Sequence, residues 1–299
     1  MSAFPHSINI TVPRRSFTLT KLLILPAFVL FSLLWTTQAY AGFAEGQTAF
    51  DKKDYAAALK QWKPLAEKGD ASAQLRMGDL YLRGQGVARD PAQAAMWYTR
   101  AAKKGVPLAQ YNLGSLYEDG VGVDRDSAQA FHWYRQAGLQ ELAKAQNKVA
   151  DMYARGLGVE QDDVQAVAWY RRAVVQGLAD AEVGLGFMYV HGSGVSQDYA
   201  QAASLFRKAA EQDLPFAQNM LGYMYAEGLG VQQDYEQALA WRTKAAGQDL
   251  PEAEYDLGQM HEKGQGVPVD YVKAVQWYRR AAAQGFAPAQ QELDRFSNK

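Results

Sequence analysis

The sequence predicts an all-α solenoid built from helix pairs, 36 residues to the repeat. Three observations carry that expectation. The pattern Gly-x-Gly-Val returns six times, beginning at Gly84, Gly120, Gly156, Gly192, Gly228 and Gly264, always 36 residues apart. A fixed period of this size is the signature of an array in which each unit stacks only on its neighbours. Apolar columns before and after that turn follow helical spacing. The composition, 48% hydrophobic with 21% charged, is that of a folded chain and not of a disordered one.

The first 41 residues stand apart from the array. Arg14, Arg15 and Lys21 come with no acid, the apolar run Leu22–Trp35 follows, and Ala39 and Ala41 make a small-x-small end. That order reads as a secretory signal cleaved before Gly42. The 14 apolar residues fall short of the ~20 that a spanning helix needs. A periplasmic or secreted location follows, with no stable membrane insertion after cleavage. Three of the 31 basic residues lie in this leader, so the remainder holds 28 against 32 acidic, a formal charge of −4. A mildly acidic domain lacks the attraction for phosphate backbones that nucleic-acid binders use. There is no cysteine, which excludes disulfides despite the export signal.

Residues 43–70 hold a partial first unit. Asp54, Ala58 and Leu65 occupy repeat slots, while Trp62 sits one place beyond the tryptophan slot, where Tyr98 stands later. Six units then run over residues 71–286. Each opens on a first helix whose buried stripe begins at Ala73, Ala109, Ala145, Ala181, Ala217 or Ala253, with Met77, Leu113, Val149, Leu185, Leu221 or Leu257 four places on. A small residue comes next, glycine in every unit but the third (Ala150), then Leu or Met and an aromatic two and three places later. Spacings of four, seven and eight residues share one helical face, so the methionines at 152, 188, 224 and 260 are core filler and not a ligand box.

The first glycine of the turn reads as a left-handed helix cap with the valine folded back on the core. It follows a helix end, so it is no phosphate loop, which needs a helix start. An aspartate at 90, 126, 162, 198, 234 or 270 then caps the second helix. That helix carries an alanine four residues on and a Trp-Tyr pair at 97–98, 133–134, 169–170 and 277–278. Pro107, Pro215 and Pro251 suit the first positions of later first helices. Residues 287–299 form a C-terminal capping helix, polar where a further unit would dock, with Asp294 in the glycine slot and Ser297 in the tyrosine slot.

The run Ala-x-x-x-Leu-Gly-x-x-Tyr-x-x-Gly-x-Gly-Val, then Asp, Ala, Trp-Tyr and Ala-Ala, resembles the Sel-1-like repeat family, relatives of the tetratricopeptide repeats with a longer unit. The resemblance covers residues 43–299. It implies antiparallel helix pairs in a right-handed superhelix, acting as an adaptor or scaffold for other proteins. This chain departs from the pattern at Ala150, at Leu205-Phe206 in place of Trp-Tyr, at Arg242 for the second aromatic and at His261 for tyrosine. Looser or altered packing is expected around the third to sixth units.

Nothing in the chain supports catalysis. His132, His191 and His261 fall in different slots and units, so no pair shares a face at metal-ligand spacing. His261 reads as a satisfied core group in a tyrosine hole. No metal-protease, serine-nucleophile or phosphate-loop motif occurs, and no cofactor or metal is implied. The column Arg83, Asp119, Arg155, His191, Glu227 and Lys263 alternates in sign and reads as weak inter-unit ion pairing.

Binding is better placed. By resemblance to tetratricopeptide units, the concave face is lined by first-helix slots two before, and two and five after, the Leu column. There the chain presents Asn147, Asp151, Val183, Phe187, Asn219 and Tyr223, flanked by Tyr111 and Tyr255, with Phe216 beside them. Asparagine amides hold extended backbone and aromatics supply anchors. The expected function is therefore a non-catalytic protein-interaction scaffold in the bacterial cell envelope, holding a protein or peptide segment. The alternative is a peptidoglycan-binding protein or envelope enzyme, which purified cell-wall sacculi would retain.

Overall fold

A computed structural model describes residues 41–297. They form fifteen helices and no strand. In order these are α1 (41–51), α2 (Tyr55–Glu67), α3 (Ala71–Arg83), α4 (Pro91–Lys103), α5 (Pro107–Asp119), α6 (Ser127–Leu139), α7 (Ala143–Arg155) and α8 (Asp163–Val175). They continue with α9 (Ala179–His191), α10 (Tyr199–Glu211), α11 (Pro215–Glu227), α12 (Tyr235–Ala246), α13 (Pro251–Lys263), α14 (Tyr271–Ala283) and α15 (Ala287–Ser297). Ala41 and Gly42 open α1; the rest of the predicted leader, Ala39 included, lies outside the described residues. Each helix packs on the next, and α7 also touches α9. At that boundary the first helices of adjoining units approach one another, which puts them on the inner face.

The local signals act as the sequence implies. Asp90 accepts a hydrogen bond from Gln93 N, and Asp126, Asp162, Asp198, Asp234 and Asp270 do the same for their helices. Each such cap contributes about 1 kcal/mol. The first turn glycine is left-handed throughout; Gly84, at φ 67°, sends its N–H to Leu80 O. The second glycine has a different task, which sequence reasoning missed. Gly122 (φ +74°) lies so close to the start of α4 that a Cβ would stand 2.2 Å from Pro91 O, in the preceding unit. Gly158, Gly194 and Gly230 meet Ser127, Asp163 and Tyr199 in the same way. This turn is thus a contact between units.

Two further devices act, one within units and one between units. In four units the glycine of the first helix receives a ring of the same unit: Tyr98 lies on Gly78, Tyr134 on Gly114, Phe206 on Gly186 and Tyr278 on Gly258. Trp62, fully buried, performs this role against Gly46 in the first unit and donates its indole N–H to Phe43 O. A buried polar column follows the invariant alanines. Gln74, Gln110, Gln146 and Gln218 each donate to a carbonyl at the end of the preceding second helix. The side-chain oxygens of Gln110, Gln146 and Gln218 then accept from a glutamine 30 residues on, as in Gln140 to Gln110 and Gln176 to Gln146, both 2.8 Å, whereas that of Gln74 has no partner. Glu182 and Glu254 take the same place and receive Gln212 and Gln284. Such satisfied buried amides tie successive units into one alignment.

Of the looser or altered packing expected at the departures, the structure shows altered packing and not looser packing. Leu205, Phe206 and Ala150 are all buried. Ala150 leaves no seat for a ring, and Tyr170 lies instead on Gly184 of the next unit. Two smaller expectations also change. His261 is buried, but its Nδ1 has no partner, and burial pushes its pKa down. The sign-alternating column forms no ion pairs among the described residues; its side chains are exposed at the ends of the first helices, and His191 stacks on Phe187.

Candidate protein-binding face

The inner face changes character along the array because one slot of the second helix changes. Where that slot is tyrosine, its hydroxyl reaches through to a carboxylate on a first helix. Tyr98 donates to Asp79 (2.7 Å), Tyr134 to Glu118 (2.6 Å), Tyr170 to Asp151 (2.5 Å) and Tyr278 to Glu262 (2.9 Å). These acids stand two or five places after the Leu column, in the slots expected to line the face. Burial raises the Asp79 and Asp151 carboxyls above their ordinary value. Burial acts on Glu118 too, but Tyr134 and the Lys148 ammonium at 3.0 Å outweigh it and hold that carboxyl low.

In the fourth unit Phe206 removes the hydroxyl and the face turns apolar. Phe187 packs edge-on against Phe206 (5.3 Å) and lies 6.0 Å from Phe216. Val183 is half-buried beside them, Phe216 is 39% exposed and Tyr223 is 44% exposed. In the fifth unit Arg242 takes the slot, buried, with its guanidinium 3.5 Å from Asp256. Asn219 crosses from α11 to donate to Asp256 at 3.1 Å.

The structure thus brings Val183, Phe187 and Phe216 into one strip with Tyr223 on the same helix as Phe216. It also joins Asn147 to Asp151 through a 3.3 Å bond. Tyr111 and Tyr255 do not belong to the strip; they are half-buried and pack on Tyr134 (5.3 Å) and Tyr278 (5.6 Å) of their own units. One expectation is corrected. Asn219 is only 3% exposed and is not free of the core, because the Arg242–Asp256 pair that replaces the tyrosine needs another hydrogen-bond donor. The side-chain oxygens of Asn147 and Asn219 remain without a partner. Among the described residues, no three His, Cys, Asp or Glu side chains converge on a metal site and no helix is long and apolar enough to cross a membrane.

With this geometry in view, comparison with known proteins settles the family. The sequence matches the Sel1 repeat over residues 71–106, 107–141, 143–178, 179–214, 215–250 and 251–286. The chain belongs to the Sel1 repeat family. Proteins of this family generally serve as scaffolds for protein–protein contact. Among solved structures, this Sel1 repeat chain is similar to a protective antigen present in uropathogenic Escherichia coli strains, which displays the same kind of fold. The two share 36% identity with a TM-score of 0.80 over 90% of this chain. The match spans 59% of the antigen's length. A Sel1 repeat protein from Oxalobacter formigenes is 31% identical, with a TM-score of 0.74 over 80% of this chain and 96% of that one. No curated protein matches the sequence.

The tyrosine–carboxylate pairs of this Sel1 repeat protein were legible in part. The acids stand in predicted face slots and the tyrosines in a predicted column, but only the fold shows that they meet. Their burial has a measurable consequence. A raised folded pKa means that the native state binds the proton more tightly than the unfolded chain does. Stability from Asp151 is therefore present at low pH and lost as pH rises through the folded pKa. Relative to Asp151→Asn, the wild-type melting temperature is expected to fall as pH rises from about 4 to 8. A difference that grows in the opposite direction would contradict the burial of this carboxyl.

Proposed function

We propose that this chain is a non-catalytic scaffold of the bacterial cell envelope, holding a segment of a protein partner along its inner, first-helix face. Family membership supports the scaffold role. The order of basic, apolar and small residues over 1–41 supports export with cleavage before Gly42. The observation that carries the choice of face is the apolar strip across α9 and α11. There Phe216 and Tyr223 are exposed on α11, with half-buried Phe187 and Val183 on α9. Exposed aromatic anchors beside an apolar strip are what a bound segment packs on.

Tyr223→Ala is expected to weaken the partner that co-purifies from envelope extract by roughly 1–2 kcal/mol. Because that ring is exposed and fills no core volume, the melting curve should stay nearly unchanged. Asn219→Ala is not an equivalent probe: it strips a hydrogen bond from buried Asp256 and will lower stability together with affinity. Affinity that survives both Tyr223→Ala and Phe216→Ala, yet falls when second-helix residues are altered, would move the partner to the outer face.

A further inference from the structure

The chain sorts its charges by helix. The six first helices α3, α5, α7, α9, α11 and α13 hold six Lys and Arg against eleven Asp and Glu. The six second helices α4, α6, α8, α10, α12 and α14 hold twelve against three. The near-neutral sequence therefore conceals a basic outer face.

The cations stand in two adjacent columns near the ends of the second helices. One contains Arg135, Arg171, Arg207 and Arg279. The other contains Arg100, Arg172, Lys208, Lys244 and Arg280. All are exposed except Arg207, which is half-buried. Acids neutralise little of this row: among the described residues Arg280 forms ion pairs, with Asp249 and Glu254, and the Lys208 charge acts on Glu182. Aromatic side chains hold several of the others. Arg100, Arg172 and Lys244 sit over Trp97, Trp169 and Trp241 at 4.6, 4.7 and 4.1 Å. Arg171 and Arg207 donate to the hydroxyls of Tyr189 and Tyr225 at 3.1 and 2.7 Å. A cation on an aromatic face keeps its charge and its outward N–H groups, and its side chain is already ordered before any partner arrives. On the inner face, by contrast, Asp79, Glu118, Asp256 and Glu262 each face a cation within the chain.

We propose that this row is a second docking surface, which takes an extended acidic polypeptide segment. A first helix stands between one second helix and the next, so on this outer side successive units present their cations more than one helix width, about 10 Å, apart. An extended chain advances about 3.3 Å per residue, so a segment dense in carboxylates keeps one opposite each unit. A flexible segment follows the outward curve of the array, whereas a flat anionic membrane touches only its crest. The surface is separate from the apolar strip on the inner face, so the two readings stand or fall independently.

The test uses the full chain and a labelled peptide of about eighteen residues with glutamate at every third position. Fluorescence anisotropy should show binding that weakens steeply between about 50 and 300 mM salt, as the Debye length shrinks. Arg135→Glu combined with Arg279→Glu should weaken it by roughly tenfold or more. Among the described residues neither side chain has an ion-pair partner, and both are exposed, so the melting curve should hold. Tyr223→Ala should leave the peptide's affinity unchanged. Three results would overturn the proposal: peptide affinity indifferent to the double charge reversal, equal affinity for the lysine counterpart, or binding to phosphatidylglycerol vesicles without binding to the peptide.

Discussion

Trp169→Ala is expected to destabilise the protein by roughly 3–5 kcal/mol. Trp169 is 6% exposed, and its ring lies against Gly138 of α6, where a Cβ would stand 3.1 Å away. The Arg172 guanidinium covers its outer face at 4.7 Å. Truncation therefore loses the transfer energy of the ring and leaves a cavity between two units that a rigid helix pair cannot close. In a linear array each interface contributes nearly independently, so the damage falls at the second-to-third unit boundary. Thermal unfolding should shift down and broaden or divide. Trp277 is only half-buried, so Trp277→Ala should cost less. Equal losses at the two positions would show that burial of the ring is not what stabilises the array.

Gly122→Ala should cost roughly 2–5 kcal/mol, from two sources. A left-handed backbone costs an ordinary L-residue about 1–2 kcal/mol, and forcing a methyl into filled space costs about 1–3 more. The atom in the way is Pro91 O, 2.2 Å from the new Cβ; it is backbone and cannot rotate aside. Gly105 supplies the control, because it has φ +84° with nothing within 4 Å. Gly105→Ala carries the conformational cost alone, so the difference between the two melts measures the contact between units. No difference would mean that the second turn glycine is present for its backbone angle only.

Much of this protein was readable before any fold was seen. Helix starts, helix ends and the buried stripes are local properties: Asp90 caps its own helix and Gly84 ends its own. Repetition six times over averaged out single-residue noise. What failed were inferences that depend on a neighbour 20 to 40 residues away. The burial of Asn219 could not be read from its slot, because it follows from Arg242 and Asp256 in two other helices. The seat of Tyr170 on Gly184 is likewise a response to Ala150 in the unit before.

The sequence alone therefore determined the secondary structure, the period and the all-α class, since these depend on spacing and on the conformational limits of Gly, Pro and Asp. Tertiary structure decided the second glycine's contact with Pro91 O, the glutamine ladder, and which carboxylates the tyrosines reach. It also decided the separation of an apolar strip on one face from a largely unpaired row of cations on the other. The physical reason is distance. A hydrogen bond or ring contact acts over a few ångströms, and only the stacking of units brings residues some 16 to 37 places apart within that range.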